Sequence, residues 1–196
     1  MGRYTERTAL VVVDLQNDFA DPAGSLAVPG AEPLVGVVNA EARAAAAAGS
    51  LVVATQDWHP PSTPHFATDG GVWPVHCVGG TWGAELHPGF ELPAAAPRIR
   101  KGTNGEDGYS GFTMRDPVSD RETPTALEGI LREAGIERVV VCGLATDYCV
   151  RATALDAVRL GFEVTILGGA IAAVDLEPGD GDRAIAEMAD AGVEVA

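Results

Sequence analysis

The sequence predicts an open, doubly wound α/β fold on a parallel sheet, and three observations carry that prediction. Apolar runs rich in Val, Ile and Leu recur along the chain. They are near-continuous rather than alternating, as strands buried on both faces are. Helical patterns fill most of the intervals between them, and a glycine (Gly49, Gly135, Gly161 or Gly192) follows each one, where a helix stop belongs. A strand–helix–strand order repeated in this way lays right-handed crossovers onto one sheet.

Taken in order, the first strand is read at 9–14 (ALVVVD), followed by an alanine-rich helix at 31–48 and a strand at 51–57 (LVVATQD). A weaker strand follows at 98–101 (RIRK), then a helix at 123–134 and a strand at 139–143 (VVVCG). A helix at 149–160, a strand at 163–168 (EVTILG), a helix at 181–191 and a last strand at 193–195 (VEV) complete the chain. No internal repeat or linker interrupts these elements, so one domain is expected. The segment Trp58 to Pro97 breaks the rhythm with Pro, Gly, His and Trp. A loop of that length inside a compact domain points to function. It carries three of the four histidines, His59, His65 and His76.

The chain of 196 residues can bury one sizeable core, and its 46% hydrophobic content suits a globular protein. A formal net charge of -15 argues against nucleic acid or an anionic membrane surface as a partner, because both require a basic patch. The first residues contain no apolar stretch like a signal peptide, and no run reaches the length of a membrane span. Three cysteines, an odd number, do not suit a disulfide framework, so a cytoplasmic, reducing setting is expected.

In open α/β sheets, ligands gather outside the carboxyl ends of the strands. Asp14, Asp57, Lys101 and Cys149 all fall at such ends. Turn chemistry explains any one of them well and all four poorly. Cys149 stands where a strand hands over to a helix, so free N–H groups and the helix dipole would favour its thiolate and cradle an oxyanion, with Thr146 or Asp147 as the cap. Cys142, and more weakly Cys77, read as packed core residues. Lys101 is the only lysine among thirteen basic residues. Its compact ammonium would favour the thiolate, and Asp14 could take the thiol proton and pass it to a leaving amine. Asp57 and His59, two apart at a strand end, point to one side, and His65 and His76 can fold back toward them. One carboxylate with two or three imidazoles suits Zn, Fe or Mn with a coordination position left open. His87 reads as ordinary, either a surface residue or one standing behind the cluster.

Five blocks now stand together: VVVDLQNDF (11–19), DWHP (57–60), WPVHCVGGTWGAELHP (73–88), RKGTN…YSGF (100–112) and GLATDYCVRATALDA (143–157). On these the chain resembles the nicotinamidase/pyrazinamidase family of isochorismatase-like cysteine hydrolases, over most of its length. The resemblance implies a three-layer α/β/α sandwich with a six-stranded parallel sheet, in a single hydrolase domain over residues 1–196. It implies a catalytic triad of Asp14, Lys101 and Cys149. It implies one divalent metal ion, Zn2+ before Fe2+ or Mn2+, on Asp57, His59 and His76, with His65 at a fourth position that varies among members. It also implies a cis peptide between Leu144 and Ala145, an oxyanion hole from the N–H groups of Ala145 and Cys149, and a ring pocket lined by Phe19, Trp73 and Tyr109. The implied reaction hydrolyses nicotinamide to nicotinate and ammonia through a Cys149 thioester, in NAD salvage, with pyrazinamide as a second substrate and the ring nitrogen meeting the metal. A small molecule is then the expected partner, and homo-oligomer formation is left open. The alternative is a related cysteine amidohydrolase of the same fold acting on another small amide or carbamoyl group. Relatives of that kind share the triad but generally lack the metal site, and isochorismate-cleaving relatives lack the cysteine. The loop after Lys101 is slightly longer than the family's.

Overall fold

A computed structural model describes residues 2–196. Its main sheet has six parallel strands: β1 (Thr8–Val13), β2 (Leu51–Asp57), β3 (Arg98–Lys101), β6 (Arg138–Leu144), β7 (Glu163–Ala172) and β8 (Glu194–Val195). Their spatial order is β3-β2-β1-β6-β7-β8. All of β1 is buried, as a central strand covered on both faces must be. After the short α1 (Asn17–Ala20), one face is covered by α2 (Ala31–Ala47), with Val35, Val38, Ala42 and Ala45 against Leu10, Val12, Val52 and Val140. The segment after β2 shares that face through Trp58, Cys77, Ala84 and Phe90. The opposite face carries α3 (Leu127–Glu133), α4 (Arg151–Arg159) and α5 (Asp180–Asp190), whose Leu127, Leu131, Ala154, Ala157 and Met188 pack on Val11, Val53, Val139, Val141 and Ile166. The expected three-layer sandwich is thus the observed one. Among the described residues no helix is long and apolar enough to cross a membrane.

The chain runs outward from β1 to β2 and β3, then returns to β6 on β1's other side. Ligand crevices form at such a reversal. Gly143 lets the two central strand ends approach there. It has φ 107°, and a Cβ on it would lie 2.1 Å from the carbonyl oxygen of Val13, so no other residue fits.

Most boundaries fall within a residue or two of the sequence expectation, and three departures are larger or change the element. The helix expected at 123–134 begins only at Leu127, because Glu122–Pro124 (β5) pairs antiparallel with Thr113–Arg115 (β4). Proline biases the residue before it toward extended backbone, which holds Thr123 out of a helix. The strand expected to stop at Gly168 continues to Ala172, since an irregularity against β6 between Val141 and Gly143 absorbs Gly168 and Gly169. The turn holding Cys149 is a π-helical one, Thr146–Val150, ahead of α4. Neither Thr146 nor Asp147 caps it. Asp147 instead accepts hydrogen bonds from the N–H groups of Val174 and Asp175 at 3.0 and 2.9 Å, fixing the chain beyond β7.

Candidate active site

Asp14, Lys101 and Cys149 converge at the carboxyl edge, from the ends of β1 and β3 and from the turn after β6. Asp14 follows β1 with φ 46°, a conformation unusual for a non-glycine residue. Thr55 on β2 orients it. Its Oγ1 donates to Asp14 Oδ1 at 2.6 Å and accepts the Asp14 N–H at 3.2 Å. The sequence reading missed Thr55, although a Thr two residues before Asp57 in an apolar strand faces the same side as Asp57. Lys101 Nζ lies 2.6 Å from Asp14 Oδ2 and 3.7 Å from Cys149 Sγ, and donates to Asp57 Oδ1 and to the Gly108 carbonyl. A Cβ on Gly108 would fall 2.7 Å from Asp57 Oδ1, so only glycine admits this approach. Lys101 itself is fully buried. The end of β3 is therefore not an exposed end, because the loop that follows folds over it.

Burial governs the charges. It pushes Asp14 up to about 6 against the downward pull of Lys101. Burial also acts on Asp57, but Lys101, His59 and His76 outweigh it and hold that carboxyl below its usual range. For Lys101, burial opposes the charge, and Asp14 and Asp57 more than compensate, so the ammonium is retained. Cys149 corrects an expectation. Burial drives its thiol well up, and the pull of Lys101 does not offset this. The resting residue is a thiol beside a carboxylate that can accept its proton, with Asp14, Asp57 and Cys149 ligand atoms all within 4.8 Å of one another.

The second cluster abuts the first through Asp57, whose other oxygen, Oδ2, is 3.9 Å from both His59 Nε2 and His76 Nε2. One ring nitrogen from each of His59, His65 and His76 lies within 4.8 Å of the others, and all three residues are buried. His59 has neither ring nitrogen hydrogen-bonded although both are buried. Orphaned imidazole nitrogens facing a carboxylate are costly unless a cation takes them up. Burial also lowers His59 to about 4, keeping the ring neutral as a ligand must be. His76 Nδ1 is engaged by the Pro74 carbonyl at 2.8 Å and His65 Nδ1 by Asp107 at 2.6 Å, the outer-shell arrangement of ligating histidines. Three imidazoles and a carboxylate fit a divalent ion such as Zn2+, Fe2+ or Mn2+.

A cleft of about 420 Å3, including open solvent at its mouth, joins the two clusters. Phe19, Trp73 and Tyr109 line it with Ala145, Cys149, His65 and His76. The Trp73 indole N–H donates to the Tyr109 hydroxyl at 2.8 Å, which fixes both rings. Tyr148, which the sequence reading passed over, completes the wall edge-on to Trp73 at 4.8 Å. The Leu144–Ala145 peptide is cis.

The sequence model of the isochorismatase domain matches residues 8–196. The chain belongs to the isochorismatase family. Within that family it is 41% identical to the nicotinamidase/pyrazinamidase of Mycobacterium tuberculosis, covering 95% of this chain and 97% of that one. Among crystal structures, the pyrazinamidase of Pyrococcus horikoshii in complex with zinc superposes with a TM-score of 0.86 at 43% identity, covering 97% and 98% of the two chains. PnC1 from L. infantum in complex with nicotinate superposes with a TM-score of 0.88 at 40% identity, covering 98% and 94%. The fold expected from the sequence is thereby also the fold of these family members.

Proposed function

We propose that this isochorismatase-family protein is a metal-containing cysteine amidohydrolase that converts nicotinamide and water to nicotinate and ammonia, accepts pyrazinamide, and serves NAD salvage. The observation that carries this reading is the contact between the two clusters. Asp57 gives one oxygen to Lys101 and turns the other toward the histidines, so a nucleophile and a site for a ring ligand face one aromatic cleft. The relatives named nicotinamidase or pyrazinamidase, and the zinc and nicotinate held by two of the similar structures, support the same substrate and ion.

In this mechanism Phe19, Trp73 and Tyr109 hold a flat ring, with the carboxamide at Cys149. Asp14 accepts the Cys149 proton as Sγ attacks the amide carbon. Lys101 holds Asp14 in place and balances the charge that develops on sulfur. The N–H groups of Ala145 and Cys149 receive the oxyanion. Asp14 returns the proton to the leaving nitrogen, the C–N bond breaks and ammonia departs. Water then attacks the thioester with Asp14 again as base, the C–S bond breaks, nicotinate leaves, and Asp14 gives the proton back to Cys149 Sγ. Asp57, His59, His65 and His76 would hold the divalent ion, which when bound offers a Lewis-acidic position for the lone pair of a ring nitrogen.

Ammonia release from a panel of amides, with metal analysis of the same purified protein, tests the proposal. Nicotinamide and pyrazinamide should be turned over and benzamide, which has no ring nitrogen, only poorly. Equal turnover of benzamide would remove the ring-nitrogen role. Chelation should abolish nicotinamide turnover while Cys149 still reacts with iodoacetamide, and His59→Ala should lose metal and activity together. A fully active, metal-free preparation would contradict the assignment.

Asp14 also predicts a pH profile. A carboxyl raised to about 6 is ionised above that pH and protonated below it. As base it must be ionised, so kcat/KM should be level above about pH 6 and fall roughly tenfold per unit as pH drops further. Metal content measured at each pH separates this from loss of the ion. A profile level down to pH 4 would exclude Asp14 as the base.

A further inference from the structure

Asp107 lies in the glycine-rich loop between β3 and β4 and has no part in the chemistry above. Its Oδ1 is 2.6 Å from His65 Nδ1. A carboxylate only accepts hydrogen bonds, so Nδ1 carries the proton and Nε2 is left as the nitrogen available to the histidine cluster. The three imidazoles differ in this respect. His76 is backed by a backbone carbonyl, His59 has no hydrogen-bond partner, and His65 alone is backed by a side-chain carboxylate.

The loop is built to keep that carboxylate in place. Asp107 makes both backbone hydrogen bonds of an antiparallel bridge to Arg115, N–H to carbonyl at 2.7 Å and the reverse at 3.3 Å. Two residues earlier, the Gly105 carbonyl accepts the Thr63 hydroxyl at 2.8 Å, and that hydroxyl oxygen accepts the His65 N–H at 3.2 Å. One residue later, the Gly108 carbonyl accepts Lys101 Nζ. The loop is thus tied to His65 at its backbone and at its ring, and to the triad at its end. The Asp107 side chain is only 15% exposed, so water competes little for the contact.

We propose that Asp107 is a positioning residue of the metal site, which orients His65 and makes it a ligand in this protein. The proposal rests on the metal-site reading given above. A carboxylate behind a ligating imidazole fixes its tautomer and raises its basicity, and removing such a partner typically costs about 10- to 100-fold in metal affinity.

Zn2+ affinity is measured on the metal-stripped full-length protein by competition with a chromophoric chelator, and the absorption spectrum of the Co2+-loaded protein reports coordination independently of turnover. Asp107→Ala should weaken Zn2+ binding by about 10- to 100-fold and shift the Co2+ bands. Asp107→Asn, whose amide oxygen still accepts from Nδ1, should fall between it and the parent. In a His65→Ala background, Asp107→Ala should cost nothing further, because the partner it orients is gone. If His59→Ala leaves Zn2+ affinity unchanged, the metal-site reading itself fails. If His59→Ala weakens binding while Asp107→Ala matches the parent, or if Asp107→Ala weakens binding equally without His65, the positioning role is overturned. Should Asp107→Ala fail to fold, the near-isosteric Asp107→Asn decides alone, and parental affinity with an unshifted Co2+ spectrum would overturn the proposal.

Discussion

Cys149→Ala is expected to lower kcat for nicotinamide by roughly 10^5-fold or more, on the order of 7 kcal/mol of transition-state stabilisation. No neighbouring group can replace the sulfur. Cys77 and Cys142 are buried in the core and do not line the cleft, and the Thr55 hydroxyl, bound to Asp14, does not line it either. The rest of the site should remain. Lys101 keeps its two carboxylates and the Gly108 carbonyl, and the space the sulfur leaves opens onto the cleft, so stability should change by no more than about 1 kcal/mol in a thermal melt. The variant should still bind nicotinamide, since the aromatic wall and the histidine cluster are untouched. Calorimetric titration measures binding and a coupled ammonia assay measures turnover. In the parent, iodoacetamide should label Cys149 ahead of the other two cysteines, in step with loss of activity. Turnover by Cys149→Ala within a hundredfold of the parent would remove the covalent step.

The parts of this protein legible in its sequence are those in which one residue carries its own signal. The apolar runs located β1, β2, β6 and β7, because a strand buried on both faces has nowhere to place polar residues, while the edge strands β3 and β8, with exposed residues, carried a weaker or shorter pattern. Asp14, Asp57, Lys101 and Cys149 could be grouped by their positions in the chain alone, because a parallel sheet brings its carboxyl ends to one edge. What could not be read depends on loops returning from a distance. The burial of Lys101 comes from the loop at 102–112 folding over the end of β3. The same loop delivers Asp107 to His65, a pairing 42 residues apart that no periodicity encodes. Helix-start reasoning had the Cys149 thiol lowered, whereas burial wins, and burial is a property of the assembled cleft rather than of the turn. The hairpin of β4 and β5 was missed for a related reason. Three-residue strands carry too little pattern to be told from the start of a helix.

The burial of Lys101 sharpens the last expected result, that Lys101→Arg loses both activity and stability. Arginine keeps the positive charge, and at an exposed strand end the change would cost about 0.5 kcal/mol or less. Here the ammonium sits in a fully buried slot with Asp14 Oδ2, Asp57 Oδ1, the Gly108 carbonyl and Cys149 Sγ around it. A planar guanidinium is larger and cannot meet these partners from one point. Overpacking a closed site typically costs about 1–3 kcal/mol, so the melting temperature should fall measurably while the protein still folds. Displacing either Asp14 or Cys149 breaks a unit that acts together, so kcat should drop about a thousandfold or more, on the order of 4 kcal/mol. Displacing Asp57 would disturb the histidine cluster as well, so metal content has to be measured on the same sample. Lys101→Met separates charge from size. It fits the slot but leaves two buried carboxylates facing each other without a cation, a loss of about 3–5 kcal/mol in stability when one partner of a buried pair is removed. Thermal melts, metal analysis and kcat together distinguish the cases. An arginine variant that melts like the parent, holds its metal and turns over nicotinamide within a few-fold would show that Lys101 only fills space.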